Sequence, residues 1–285
     1  MKEKLETLLK ERIALLAGER KRSRTAQDER LLKKKMSLKQ RGGHLVKVMG
    51  KGTVENMTER EALYTIHWSF AIKHGDQFYI EEEVERRRAE FSSGELIGDE
   101  ELRVPAEAGD SDWSVLDLQH RAGWPDFRYD RLKAVQYAER WWNAFNPSYP
   151  EFTDDCTNFI SQCLRAGGVP MWGQPVRTRG WWMEGTSNWS YSWTVAHAFM
   201  LMLKGAKWTI EVSSPAELSI GDIICYDFEG DGRFNHNTII TGMDGYGNPL
   251  VNAHTTNSRM RFWDYEDSTA YTPDIQYKFF HIITR

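Results

Sequence analysis

The spacing of hydrophobic positions along this chain changes period twice. In residues 2 to about 40, Leu5, Leu8, Leu9, Ile13, Leu15 and Leu16 recur at roughly helical spacing before a more polar Lys/Arg section, which predicts helix with one narrow apolar stripe. From His44 to about Phe91 the runs 45–49, 62–72 and 76–85 are rich in β-branched and aromatic residues, and turns such as Lys73-His74-Gly75-Asp76 separate them. They predict a small antiparallel meander accompanied by helix. Between Ser92 and Trp124 the sequence turns acidic and Gly/Pro-containing, as in residues 107–112, and reads as a linker.

The helical period returns after Phe127. Asp130 is placed to cap a helix carrying Leu132, Val135, Ala138, Trp141, Trp142 and Phe145, which Asn146-Pro147 ends. A second helix has Asp154 or Asp155 as N-cap, Phe159, Ile160, Cys163 and Leu164 on one face, and Gly167-Gly168 as its stop. A third runs from about Ser192 to Lys204. After Pro215 the pattern is that of strands, over 221–227, 236–242, 249–254 and 276–284. Helices first and strands afterwards predict an α+β domain with an antiparallel sheet packed on the cysteine-bearing helix, in place of alternating βαβ units. The domain boundaries that follow are 1–95 for a basic helix and small β-rich domain, 96–126 for the linker, and 127–285 for the α+β domain.

Composition sharpens this division. Eleven of the twelve Trp lie from Trp113 onward, so the aromatic-rich core belongs to the C-terminal part. Residues 1–41 hold 14 Lys or Arg against 6 Asp or Glu, and the remainder holds 23 against 35, so the net charge of −4 conceals a basic arm on an acidic body. Such an arm could meet nucleic acid, an anionic membrane or the acidic body itself. Acidic residues interrupt it and no aromatic residues interleave for base stacking, so nucleic acid is not expected and a solvated helical face or an acidic surface is. Residues 1–12 contain no apolar run, so neither a signal peptide nor a transmembrane span is read there. A cytoplasmic location is expected, with non-classical export open.

The odd cysteine count (Cys156, Cys163, Cys225), without CxxC spacing, speaks against a disulfide framework or a zinc knuckle. No cofactor is expected. Position separates the three thiols: Cys163 and Cys225 read as small buried hydrophobes, whereas Cys156 stands at a helix start between polar Asp155 and Thr157, where unpaired backbone N–H groups favour thiolate. A thiol nucleophile needs a base and a group that orients the base. Among eight histidines, His236 begins a strand directly after a Gly/Asp-rich turn, at a sheet end where a cleft can form. Asn252 and His254, two apart on the next strand, share a face, and either could orient the His236 ring. His197 reads as a core or groove histidine. The turn 227–232 begins like a calcium loop, but Thr238 stands where a bidentate Glu is needed and strands flank it, so it reads as a hairpin turn.

The run DDCTNFISQCLRAGG, followed by GDIICYDFEGDGRFNHNTIITG and LVNAHTTNSR, resembles the putative amidase domain of Gram-positive bacteria, grouped with NlpC-type and CHAP-type papain-like hydrolases. The likeness covers roughly residues 129–280. It implies a papain-like fold, Cys156 as nucleophile, His236 as base, and Asn252 or His254 as the orienting residue. It implies hydrolysis of amide bonds in cell-wall peptides or muropeptides through an acyl-enzyme. Tyr149 and Asn158 are candidates for the oxyanion site, with Asn158 equally able to brace the helix start. Trp181 and Trp182 are candidates for the substrate groove, in a Trp-rich stretch that otherwise reads as a packed cap. Two alternatives stand beside hydrolysis: a non-catalytic peptide- or glycan-binding module on the same fold, and acyl transfer by the same Cys-His pair.

Overall fold

Two helices open the chain in the computed structural model, which describes residues 1–18, 26–102, 116 and 126–283. They are α1 (Lys2–Ala17) and α2 (Ala26–Gln40), where the sequence pattern suggested one continuous helical region. Gly18, at φ 86°, ends α1 in the left-handed conformation that glycine adopts at least cost, and its N–H bonds to Leu15 O. Strands β1 (Gly43–Met57), β2 (Glu61–His74), β3 (Gln77–Ser92) and β4 (Glu95–Glu101) follow. The segment expected to be linker therefore begins as a strand, and most of its remainder, including residues 107–112, lies outside the described residues.

Next come α3 (Arg131–Trp141), α4 (Cys156–Ala166), the short strands β5 (Met183–Glu184) and β6 (Asn188–Trp189), then α5 (Tyr191–Thr194) and α6 (Ala196–Gly205). The chain ends in β7 (Thr209–Val212), β8 (Ile223–Asp227), β9 (His236–Met243), β10 (Pro249–Ala253), β11 (Ser258–Phe262) and β12 (Gln276–Ile282). The protein is thus a mixed α/β structure in which antiparallel strand pairing predominates. No described helix is long and apolar enough to cross a membrane.

Contacts divide the chain into two compact units. Among the described residues the first contains α1, α2, β1 to β4, residues 244–246 and residues 256–271 with β11. The second contains the rest. Two short segments of the C-terminal part therefore belong with the N-terminal unit, a division that linear domain boundaries do not express.

In the first unit the strands run in the order β1-β2-β3-β11, with β4 also paired to β3. Strict alternation along β2 buries Ala62, Tyr64, Ile66, Trp68, Phe70 and Ile72 together with Leu5, Leu16, Leu31 and Leu38 of the two helices. Each large side chain so buried stabilises by about 1.5–3 kcal/mol. The alternate residues of β3 bury charge as well: Glu81, Glu83, Glu85 and Arg87 precede Ala89 and Phe91.

These charges are paired, as burial requires. Lys34 Nζ lies 2.5 Å from Glu83 and 2.8 Å from Asp267 and also binds Glu81, so the carboxylate cluster compact enough to hold a metal holds an ammonium. Arg30 binds Glu83 and Glu85, and Arg12 and Arg87 meet Asp99 at 2.6 and 2.7 Å. Part of the basic excess of the N-terminal arm is thereby committed to acidic partners of its own unit. Burial, with Glu83 and Asp267 nearby, lifts Glu81 to about 7 despite Lys34. Burial alone would also lift Glu83, but Lys34, Arg261 and Arg30 outweigh it and hold that carboxyl down to about 2.

The second unit has strand order β10-β9-β8-β12-β7, antiparallel throughout. Its core joins Ala134 and Ala138 of α3, Phe159, Ile160, Cys163 and Leu164 of α4, and Phe199 and Leu203 of α6 to Ile223, Cys225, Ile239, Phe280 and Ile282 of the sheet. Asp130 caps α3 by accepting from Lys133 N, as its sequence position predicts. Every residue from Cys156 to Leu164 is buried, which makes α4 the central helix of the unit.

Candidate active site

The start of α4 is held by residues 99 to 101 positions away in sequence. Thr255 Oγ1 accepts the N–H groups of both Asp155 and Cys156 at 3.1 Å and donates to Asp154 Oδ1 at 2.9 Å. Thr255 stands at φ 81°, a strained conformation for a β-branched residue, costing on the order of 1–3 kcal/mol. Asp155 makes no side-chain cap to α4. Its carboxylate reaches backwards, accepting from Phe152 N, from Asn158 Nδ2 and from His254 Nδ1.

His254 bridges two elements. Nδ1 lies 2.8 Å from Asp155 Oδ2 and Nε2 lies 2.7 Å from Trp141 O at the end of α3, while the ring stacks on Phe159 at 4.0 Å. Both ring nitrogens therefore sit against oxygen partners of the protein. The orienting role considered for His254 would require one of these two bonds to be given up.

Cys156 is 1% exposed. Its sulfur lies 3.6 Å from Thr157 Oγ1, and the backbone N–H of Asn237 hydrogen-bonds to it. Burial pushes the thiol well above its ordinary range, and the Asp154 carboxylate adds to the push; the Thr157 hydroxyl and the Asn237 N–H pull the other way. Burial thus opposes the thiolate that the helix-start argument favours. Cys163 and Cys225, both fully buried, are raised by burial as well.

His236 opens β9 opposite Tyr226 of β8. Successive strand residues face opposite ways. The Asn237 amide turns to Thr157, while the His236 ring lies 5.6 Å from Tyr226 and 5.9 Å from Phe228. Asn252, opposite Ile239, accepts from Thr241 Oγ1 and donates to Glu139 of α3.

Asn158 braces the helix start: Nδ2 donates to Pro150 O and Asp155, and Oδ1 accepts from Trp193 Nε1. Tyr149 stacks on Trp193 at 6.1 Å. Trp181 and Trp182 are wholly buried and donate to Ser161 Oγ and Arg179 O, so their rings are packing and not groove lining. The turn after β8 is closed from within, with Asp227 accepting from Gly230 N and Gly232 N. A groove of about 510 Å³ opens at Asp154, lined among others by Phe152, Arg177, Trp189, His197 and Arg233.

Residues 128–280 match the sequence profile of the putative amidase domain. The chain belongs to that family. The amidase domain thus takes in α3, α4 and all strands from β5 to β11, with the greater part of β12. The whole chain is similar to the uncharacterized protein YhbB of Bacillus subtilis (strain 168), with 46% identity over 296 residues, 98% of this chain and 95% of that protein. It is also similar to YjcM of the same organism, with 28% identity over 137 residues, 45% of this chain and 31% of that protein. No solved structure matches it.

Sequence reasoning passed over Thr255, Asn237 and Glu139, and took Thr157 only as a polar flank of Cys156. Thr255 follows the candidate His254 directly, and Asn237 puts a polar side chain next to His236 in a strand otherwise rich in β-branched residues. Those were the available signals.

Proposed function

We propose that this chain is a cysteine-dependent amide hydrolase of papain-like architecture, with Cys156 as nucleophile and His236 as general base. The observation that carries this reading is the placement of Cys156. It begins the central helix of the amidase domain, and its sulfur is met by the N–H of the residue directly after His236. In this reading His236, resting against Tyr226 and Phe228, turns toward the sulfur and takes its proton. The sulfur then bonds to the amide carbon and the carbonyl π pair moves to oxygen.

Collapse of that adduct breaks the C–N bond, and the imidazolium gives its proton to the leaving amine. Water, deprotonated by His236, attacks the thioester, and the departing sulfur recovers a proton as the carboxylic acid leaves. Because burial opposes the thiolate, the reading gives the base a large share of the work, and its removal is expected to cost about 10²–10⁴ in turnover.

The groove at Asp154 supports a peptide-sized substrate, since aromatic faces alternate there with both signs of charge. Peptides of cell-wall type, with free amines, carboxylates and amide bonds, suit such a lining. The test is incubation with muropeptides while mass spectrometry follows new amine termini. Cleavage by the wild type that is absent in Cys156→Ala and reduced in His236→Ala supports the reading. Equal product from Cys156→Ala overturns it, and a mass gain on an added amine would assign acyl transfer.

A further inference from the structure

We propose that Asn237 and Thr157 form a two-step hydrogen-bond relay that delivers a hydroxyl hydrogen to the Cys156 sulfur as it ionises. This rests on Cys156 being the nucleophile. Asn237 Nδ2 donates to Thr157 Oγ1 at 3.0 Å. With that lone pair filled, the threonine hydroxyl keeps its own hydrogen to donate, and the sulfur, 3.6 Å away, is within reach of such a bond. The Asn237 backbone supplies a second donor to the same sulfur. Both donors favour sulfur carrying negative charge over the neutral thiol.

Asn237 itself shows that packing is not its purpose. The residue is wholly buried, and its Oδ1 has no hydrogen-bond partner. A buried amide with its acceptor unused is unfavourable compared with an apolar side chain of the same shape. What the apolar side chain could not provide is the donor on Thr157. Asn237 is thus a positioning residue, acting through Thr157, whereas Thr157 touches the reacting atom.

The acidic groups beside the sulfur are Asp154 and Asp155 from the loop before α4, with His254 bound to Asp155, and the proposed base is His236 at the head of β9. The proton released on ionisation passes to His236. The relay lowers the free energy of the anion left behind.

The experiment measures the alkylation rate of Cys156 by iodoacetamide, peptide by peptide in the mass spectrometer, from mildly acidic to alkaline pH. Thiolate ultraviolet absorbance, taken as the difference from Cys156→Ser, reads the same midpoint without a reagent. Thr157→Val keeps the shape and loses the hydroxyl. It is expected to move the midpoint up by about one pH unit, a fall of about tenfold in thiolate below the midpoint. Thr157→Ser should restore the wild-type profile.

Asn237→Leu should move the midpoint in the same direction by less, with a melting temperature unchanged or higher because the orphan oxygen is gone. A Thr157→Val profile that superimposes on the wild type overturns the relay, as does an Asn237→Leu protein whose Cys156 ionises more readily. If Asn237→Leu does not fold, the pair Thr157→Val and Thr157→Ser decides. No substrate is needed. Shifted profiles in a protein that leaves muropeptides intact would sink the amidase reading and keep the relay, and unshifted profiles in a protein that cleaves them would do the reverse.

Discussion

Removing the His254 ring should cost fold stability. His254→Ala deletes a ring stacked on Phe159 and strands two acceptors, Trp141 O and one oxygen of Asp155. The remaining Asp155 oxygen keeps Phe152 N and Asn158 Nδ2, so the carboxylate is left half satisfied and not bare. Losing a packed ring and leaving two buried acceptors without donors costs about 3–5 kcal/mol. In a unit of this size that corresponds to a melting temperature lower by about 10 °C.

The assay is thermal unfolding followed by near-ultraviolet circular dichroism, to which the stacked Trp181 and Trp193 of this unit contribute strongly. Asp155→Asn should lower the transition too, and the double variant should cost clearly less than the two singles added, because each removes the same bond. A His254→Ala protein that melts with the wild type yet loses turnover would refute this reasoning and return the ring to the chemistry.

Thr255→Val should destabilise by about 2 kcal/mol, since it leaves the Asp155 and Cys156 N–H groups without their acceptor, while Thr255→Ser should behave as wild type in the same melt. Lys34→Met should weaken the first unit by about 3–5 kcal/mol through the three carboxylates left facing one another, read by chemical unfolding. The pH dependence of that cluster has two limbs. Glu81, raised to about 7, contributes stability that is full below about 4.5 and is lost as pH rises through 7; Glu83, lowered to about 2, contributes stability present above about 4.5 and lost as pH falls toward 2. Glu81→Gln should therefore flatten the first limb and spare the second, and an unchanged first limb would be the contrary result.

How far the sequence revealed the molecule depended on whether the relevant physics was local. Asp130 as a cap, Gly167-Gly168 as the end of α4 and residues 62–72 as a strand all follow from a few adjacent residues, and the structure has each of them. The split into α1 and α2 was harder, because the apolar stripe thins gradually across the break. β3 was legible as a strand but not as a charged inner face, since the partners of Glu81 and Glu83 come from Arg30, Lys34 and the distant Asp267.

At the site, Cys156 stood out by its polar flanks. The bonds of His254 did not, because two residues on one strand face look equivalent until Trp141 and Asp155 are placed beside one of them. The upward push on the thiol was equally hidden: a helix start is visible in sequence, whereas complete burial of the sulfur depends on the packing of the whole unit.

The passage of residues 244–246 and 256–271 into the first unit has a consequence for how this protein can be inherited and dissected. The chain changes unit several times after residue 243, so no single cut yields both units whole. A fragment beginning at residue 127 would carry β11 without β3, its antiparallel partner, exposing a strand edge of the kind that recruits other chains. The amidase domain, although a clear unit of sequence, is expected to lose a strand partner when cut out at residue 127.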